Sequence, residues 1–256
     1  IANIDGMIMD ANGLDLTDWR NDVAEKGKLT NLDEIIQFVK DEKPLNPIFV
    51  DCTASYDLPN RYLDILEAGM HIATPNKRAN SMSMDFYHEL RKTANRMHRR
   101  FLYETNVGAG LPIIDTLQNL FKSGDKLTGF YGIMSGSLSY IFGRLDEGVS
   151  FSRAVIEARE KRYTEPDPRD DLAGLDVARK ALIIAREAGI SLELEDITMH
   201  NVFPEGFDST GTIEEFLNKL PQVDDYFAKK VSDLKKQGKV LRMAASIEEG
   251  KVSVGM

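Results

Sequence analysis

LTNLDEIIQFVKDEKPLNPIFVDCTAS, residues 29–55, sets a helical period directly against a strand. Leu32, Ile35, Ile36 and Val39 recur on one side of a helix, and NPIFVDCTAS follows as a short apolar run of the kind that forms a buried strand. The pattern then repeats. Residues 58–68 read as a helix that Gly69 can end, and MHIATP (70–75) as a strand. SMSMDFYHELRKTANRMH (81–98) reads as a helix with a Ser cap, and RFLYETNV (100–107) as another strand. Strands alternating with helices predict a parallel sheet covered by helices, an α/β architecture.

Ligands of such sheets collect beyond the carboxyl ends of the strands. Two polar stretches fall there, Cys52-Thr53-Ala54-Ser55 and Thr74-Pro75-Asn76-Lys77. Each is either an ordinary capped loop or the rim of a ligand site. No G-x-G-x-x-G turn opens the chain. NVGAGLP, residues 106–112, lacks the third glycine; it reads as a tight backbone passage into the helix PIIDTLQNLFKSG, with Pro112 at a favoured early helical position. It also marks an expected boundary between a domain at 1–106 and one at 107–256.

In the second part, KLTGFYGIMSG (126–136) predicts a strand, SLSYIFGRLDEG a helix ended by Gly148, and SFSRAVIEAREK another helix. Beyond residue 200 a polar loop, a helix with Phe216 and Leu220, a helix at DDYFAKKVSDLKKQG and a strand VLRMAASIEE are expected. No internal repeat or low-complexity segment is present.

The 256 residues are 42% apolar, enough for a substantial core, and carry a net charge of −9. That charge argues against a nucleic-acid or anionic-membrane surface, which needs clustered cations. RMHRR, 96–100, reads as the solvated end of a helix. One cysteine, Cys52, excludes an intrachain disulfide and every multi-cysteine zinc pattern, so the expected location is the cytoplasm. No apolar run reaches the length of a membrane span. The chain starts at IANIDGMIMD without an initiator Met, which suggests a piece of a longer protein.

TEPDPRDDLAGLDVARK, residues 164–180, places Glu165, Asp167, Asp170, Asp171 and Asp176 within twelve positions and closes on Lys180. The spacing predicts a helix from about Leu172 to Ala188, with Leu175, Ala178, Leu182 and Ala185 as its apolar stripe and Asp176 and Lys180 sharing a face beside it. One reading is a surface ion pair worth about 0.3–0.5 kcal/mol, with the other acids satisfying a helix dipole. The second is an array stiffened by Pro166 and Pro168, in which Lys180 acts as proton donor and clamp and the carboxylates suit a substrate ammonium group. An EF-hand does not fit, since no frame supplies both its glycine and its closing Glu. His71, His88, His98 and His200 are scattered and form no metal motif.

Through this stretch the sequence resembles the homoserine dehydrogenase family, whose signature runs to the closing lysine. CTAS, TPNK, ETNVGAGLP and SGSLSYIF agree in order, and their form with YTEPDPRDD is most similar to the dehydrogenase half of fused aspartokinase/homoserine dehydrogenases. The resemblance implies a Rossmann-like nucleotide-binding domain whose first strand and glycine-rich turn lie outside this chain. It implies a second, α+β catalytic and dimerisation domain whose C-terminal segment is also outside. It further implies NAD(P)-dependent interconversion of L-aspartate 4-semialdehyde and L-homoserine, in threonine and methionine biosynthesis, by a homodimer or homotetramer.

Position by position, the resemblance makes Lys180 the proton donor and brings Lys77 towards both cofactor and reacting centre. Glu165 and Asp176 would hold the substrate ammonium with Asp171 in support, and Gly136, Ser137 and Tyr163 would lie at the substrate. Thr53, Lys77, Ala2 and Asn3 would touch NADP or NAD. Glu104, Val107, Ala109 and Leu111 would bind a monovalent cation, sodium, through side-chain and backbone oxygens. One departure stands out: Arg162 precedes the Tyr of YTEP where the family usually has glycine. Two other readings are kept in view. An enzyme of the aspartate-semialdehyde dehydrogenase type would need Cys52 as its nucleophile. A binding or assembly module would need no catalysis at all.

Overall fold

The computed structural model describes residues 1–256. In chain order its elements are α1 (Trp19–Lys26), α2 (Leu32–Glu42), β1 (Ile48–Val50), α3 (Tyr62–Glu67), β2 (His71–Ala73), α4 (Arg78–Ser81), α5 (Met84–Arg96), β3 (Phe101–Leu102) and α6 (Ile113–Lys122). Then follow β4 (Gly129–Gly132), α7 (Gly136–Asp146), α8 (Phe151–Glu160), α9 (Pro168–Leu172), α10 (Leu175–Glu187), β5 (Thr198–Met199), α11 (Ile213–Lys219), α12 (Asp224–Lys236), β6 (Ala244–Glu248) and β7 (Lys251–Gly255). Two compact units emerge, residues 1–76 with 88–102 and residues 77–87 with 103–256.

In the first unit β1, β2 and β3 form a parallel sheet in that order, with Phe49, Ile72 and Phe101 in register on one face. α3 covers that face: Tyr62 is fully buried with its ring 5.9 Å from that of Phe101, and Ile65 and Leu66 are buried beside it. Sequence periodicity predicts β1 as a buried strand. Within residues 1–256 β1 pairs with β2 alone, and Ile48 and Val50, on the face opposite Phe49, are 60% and 62% exposed.

The second unit holds a mixed sheet ordered β4-β6-β7-β5, antiparallel except for the β5–β7 pair. α10 packs on β6 and β7 and buries Val177, Ala178, Ala181, Leu182, Ile183, Ile184 and Ala185. Of the expected stripe, Leu175 is exposed at the helix start. Nor is there one helix from Leu172: α9 and α10 are separate, because Gly174 takes φ +70° between them. α7, α8 and α12 form a helical layer in which Phe151 stacks on Phe227 at 3.9 Å. The predicted strands at 126–136 and 240–249 shorten to β4 and β6.

Candidate active site

Three elements of the second unit bring the acidic cluster and its lysine together. α10 carries Asp176 on its first turn and Lys180 one turn later, so their side chains meet at 2.7 Å. The Lys180 ammonium also donates to the carbonyl of Met134, just before α7, at 2.7 Å. From the N-cap of α4, Lys77 reaches the other oxygen of the same carboxylate at 3.2 Å. One half-exposed carboxylate is thus shared by two ammonium groups. Burial pushes the Asp176 carboxyl up, but the Lys180 hydrogen bond and the charges of Lys180 and Lys77 outweigh it, so Asp176 titrates below the ordinary Asp value.

The remaining acids do different work. Asp171 accepts from the Ser137 hydroxyl at 2.6 Å and from the Glu165 amide at 2.8 Å. It therefore joins the start of α7 to the YTEP loop. Ser135 caps α7 through the Leu138 amide and lies 2.9 Å from the Ser137 hydroxyl, while Gly136 is exposed at the first helical position. Glu165 is exposed in that loop, and Tyr163 stands edge-on to Tyr140 at 5.0 Å. Asp167 caps α9 and is held below the usual carboxylate range by the Arg169 hydrogen bond. No three His, Cys, Asp or Glu side chains converge as a metal site.

The passage 104–111 also belongs to the second unit. Glu104 accepts from the amides of Ile114 and Asp115 at 2.8 and 2.9 Å, which satisfies the otherwise unpaired N-terminus of α6. Val107 is buried, Gly108 and Ala109 both take positive φ, and the Leu111 amide closes on the Gly108 carbonyl at 2.9 Å. One carboxylate and backbone carbonyls are hard oxygen donors with a single negative charge, a set that fits a monovalent alkali cation and not a thiophilic metal.

Thr53, Ala2 and Asn3 lie in the first unit. At the carboxyl end of β1 the buried Asp51 accepts from the Thr53 amide at 2.7 Å, from the Tyr62 hydroxyl and from the Asn76 side chain. The Thr74 hydroxyl donates to the Asp51 carbonyl at 2.9 Å. Both polar stretches therefore rest on one buried network, which leaves Thr53 exposed beyond the carboxyl end of β1. Ala2 and Asn3 sit elsewhere in this unit. Ala2 bridges to Met7, and Asn3 turns back on Asp5 and Gly6 and accepts from the Thr30 hydroxyl. Sequence reasoning overlooks the Met134 carbonyl and Ser135. A backbone acceptor leaves no signal in side-chain identity, whereas Ser135, just before an apolar helix, has the form of an N-cap.

A parallel sheet with polar strand ends, and a second unit presenting two lysines on one carboxylate, define a two-unit α/β chain. Residues 6–104 match the family model described as homoserine dehydrogenase, NAD binding domain, and residues 112–256 match that described as homoserine dehydrogenase. The chain belongs to the homoserine dehydrogenase family. It is 50% identical over 256 residues to a bifunctional aspartokinase/homoserine dehydrogenase of Haemophilus influenzae, covering 100% of this chain and 31% of that protein. It is 39% identical over 245 residues to a homoserine dehydrogenase of Schizosaccharomyces pombe, covering 93% of this chain and 65% of that one. The chain thus spans about a third of the bifunctional relatives it matches. A crystal structure of a Candida auris protein of unknown function superimposes with a TM-score of 0.83 at 37% identity, over 91% of this chain and 68% of that one. A hyperthermophilic archaeal homoserine dehydrogenase in complex with NADPH shares the fold, with a TM-score of 0.65 at 22% identity, over 91% of this chain and 61% of that one.

Proposed function

We propose that the protein carrying this chain is an NAD(P)-dependent homoserine dehydrogenase that interconverts L-aspartate 4-semialdehyde and L-homoserine. The observation that carries the reading is the bonding of Lys180. An ammonium group has three N–H donors. Two are used on Asp176 and the Met134 carbonyl, which leaves the third for a substrate oxygen. In the reductive direction Lys180 gives its proton to the carbonyl oxygen as it becomes a hydroxyl, and in the oxidative direction it takes that proton back. Lys77, on the other side of Asp176, keeps a second positive charge near the developing alkoxide and reaches towards the cofactor.

Glu165 and Asp176 hold the substrate ammonium; a carboxylate has lone pairs beyond those Asp176 spends on its lysines. Asp171 keeps Ser137 and the Glu165 loop in place, and Gly136, Ser137 and Tyr163 line the substrate. Bound NADPH or NADH would supply the hydride in the reductive direction and NADP⁺ or NAD⁺ accept it in the oxidative one, with Thr53, Lys77, Ala2 and Asn3 as contacts of the NADP or NAD cofactor. Glu104, Val107, Ala109 and Leu111 would hold sodium. The exposed outer face of the four-stranded sheet, where Tyr131 is 74% exposed, suits a homodimer or homotetramer. A lone free thiol at Cys52 suits a reducing compartment, the cytoplasm.

Lys180→Ala in the full-length protein tests the reading. Loss of a positioned acid lowers kcat by about 10²–10⁴-fold, while NADP(H) affinity, measured by titration calorimetry, stays unchanged. A variant within a few-fold of wild type would reduce Lys180 to an ion-pair partner. Wild-type protein that neither oxidises homoserine nor reduces aspartate semialdehyde would leave the binding-module reading in its place.

A further inference from the structure

Arg186 lies on the last turn of α10 with its side chain wholly buried. A guanidinium has five N–H donors in a rigid fork, and here all five have acceptors. The Nε and one Nη2 hydrogen go to the Leu192 carbonyl at 3.2 and 2.9 Å, and the other Nη2 hydrogen to Glu193 at 2.8 Å. Nη1 donates to the carbonyls of Asn80 and Met82 at 3.0 and 2.7 Å. The last two acceptors form the carboxyl end of α4, whose terminal carbonyls have no partner within the helix. Glu193 completes the attachment by accepting from the Met84 amide at 2.9 Å.

The other end of α4 is Lys77. Its carbonyl accepts from the Asn80 amide and the Ser81 hydroxyl, both at 3.1 Å, so the short turn carries position from one end to the other. A helix of four residues does not hold itself in water. It is attached to α10 at two points, the Arg186 guanidinium at one end and the Lys77–Asp176 pair at the other. Asp176 and Arg186 are ten residues apart on that helix, about 15 Å along its axis.

We propose that Arg186 is a positioning residue, and that its guanidinium, spread across the carboxyl end of α4, holds the Lys77 ammonium against Asp176. Its consequence for turnover rests on the reading of Lys77 given above; the pairing itself does not. Lysine at position 186 offers three donors from a point charge and cannot span the carbonyls of Asn80, Met82 and Leu192 together with Glu193.

The test uses the full-length protein. Reductive methylation with ¹³C-formaldehyde gives Lys77 a resonance, identified by its loss in Lys77→Arg. In Arg186→Lys that resonance is expected to move to where it lies in Asp176→Asn, and kcat for homoserine to fall by about 10²-fold, as misplacement of a catalytic group costs. In the Lys77→Met background the same substitution should change kcat less than two-fold. A lysine resonance unmoved by Arg186→Lys, or an equal kcat loss in both backgrounds, overturns the proposal and leaves Arg186 a core residue only. Glu193→Gln keeps an acceptor for the Met84 amide but removes the charge facing the guanidinium, so it decides the matter by the same two readouts if Arg186→Lys does not fold. A Lys77 resonance that Arg186→Lys shifts, in a protein whose wild type shows no dehydrogenase activity, would sink the functional reading and uphold the clamp.

Discussion

Asp176 shows how much one carboxylate can be asked to do. Two ammonium groups lower its pKa below 3.8 despite its partial burial, so its charge is part of the folded state. The sign of the pH dependence follows. A depressed carboxyl adds stability above its unfolded-state value, and that stability is lost as pH falls through the folded value. The thermal midpoint of wild type should therefore exceed that of Asp176→Asn at neutral pH, and the gap should close as pH drops below 3.8. A gap that stays constant across a pH series of thermal melts would mean the lysines do not act on this charge. Tyr62 makes the opposite case in the first unit. Burial and its bond to Asp51 push its phenol well up, so it stays a neutral donor at all ordinary pH. Tyr62→Phe leaves one buried oxygen of Asp51 with Asn76 at 3.3 Å, and should cost about 1.5–3 kcal/mol by chemical denaturation. An unchanged midpoint would show the network to be dispensable. Of these roles, the sequence displays Asp176 and Lys180 through their i,i+4 spacing alone. Lys77 arrives from far along the chain, and Asp51 looks like any polar residue at a strand end.

Two positive-φ positions control where helices stop and start around the YTEP loop. α8 ends in a 6→1 bond from the Tyr163 amide to the Ala158 carbonyl, with Arg162 at φ +57° between them. Glycine is the preferred residue there, because a side chain costs about 1–2 kcal/mol in the left-handed region. Glycine also loosens the unfolded chain by about 0.4–1 kcal/mol, so Arg162→Gly should stabilise by the difference, up to about 1.5 kcal/mol. Gly174 is the reverse. Any side chain at its φ of +70° is strained, and a Cβ would meet Val254 at 3.4 Å and Met199 at 3.5 Å. Gly174→Ala should therefore destabilise, by up to about 1.5 kcal/mol once the stiffer unfolded chain is subtracted. A midpoint shift of the same sign in both variants would refute this account of the helix ends. The Gly174 break is hidden in sequence, because LAGLDVARK keeps an apolar period across it. β7 is hidden for another reason. KVSVG is a clear alternating strand, but it becomes one only through the Glu249-Gly250 hairpin turn, with φ of +49° and +77°. The strand–helix alternation of residues 29–107 was readable because each apolar run there is bounded by capping or breaking residues.

At the scale of the whole chain, stability is unevenly distributed. α10 is buried along most of its length against β6 and β7, and its last turn holds the fully bonded Arg186. To open it would expose seven apolar side chains and a desolvated guanidinium, so its amides should exchange only in the rarest openings. Residues 1–17 contain no helix or paired strand of their own. They are attached through the Met7–Lys28 bridge and the Thr30–Asn3 hydrogen bond, and bury Met7 while Ile4 is 97% exposed and Leu16 63% exposed. Composition conveys none of this contrast, since both segments mix apolar and charged residues; burial of one helix face against a sheet makes the difference. Hydrogen exchange read by mass spectrometry on the full-length protein should show peptides covering Ala181–Ala185 protected for hours after peptides covering residues 9–17 have exchanged. Because Lys180 is mounted on α10, which its neighbours bury, Lys180→Ala should leave that order intact even as it lowers turnover. Protection lost from α10 in that variant would mean the lysine holds the helix in place and that its kinetic effect cannot be assigned to proton transfer.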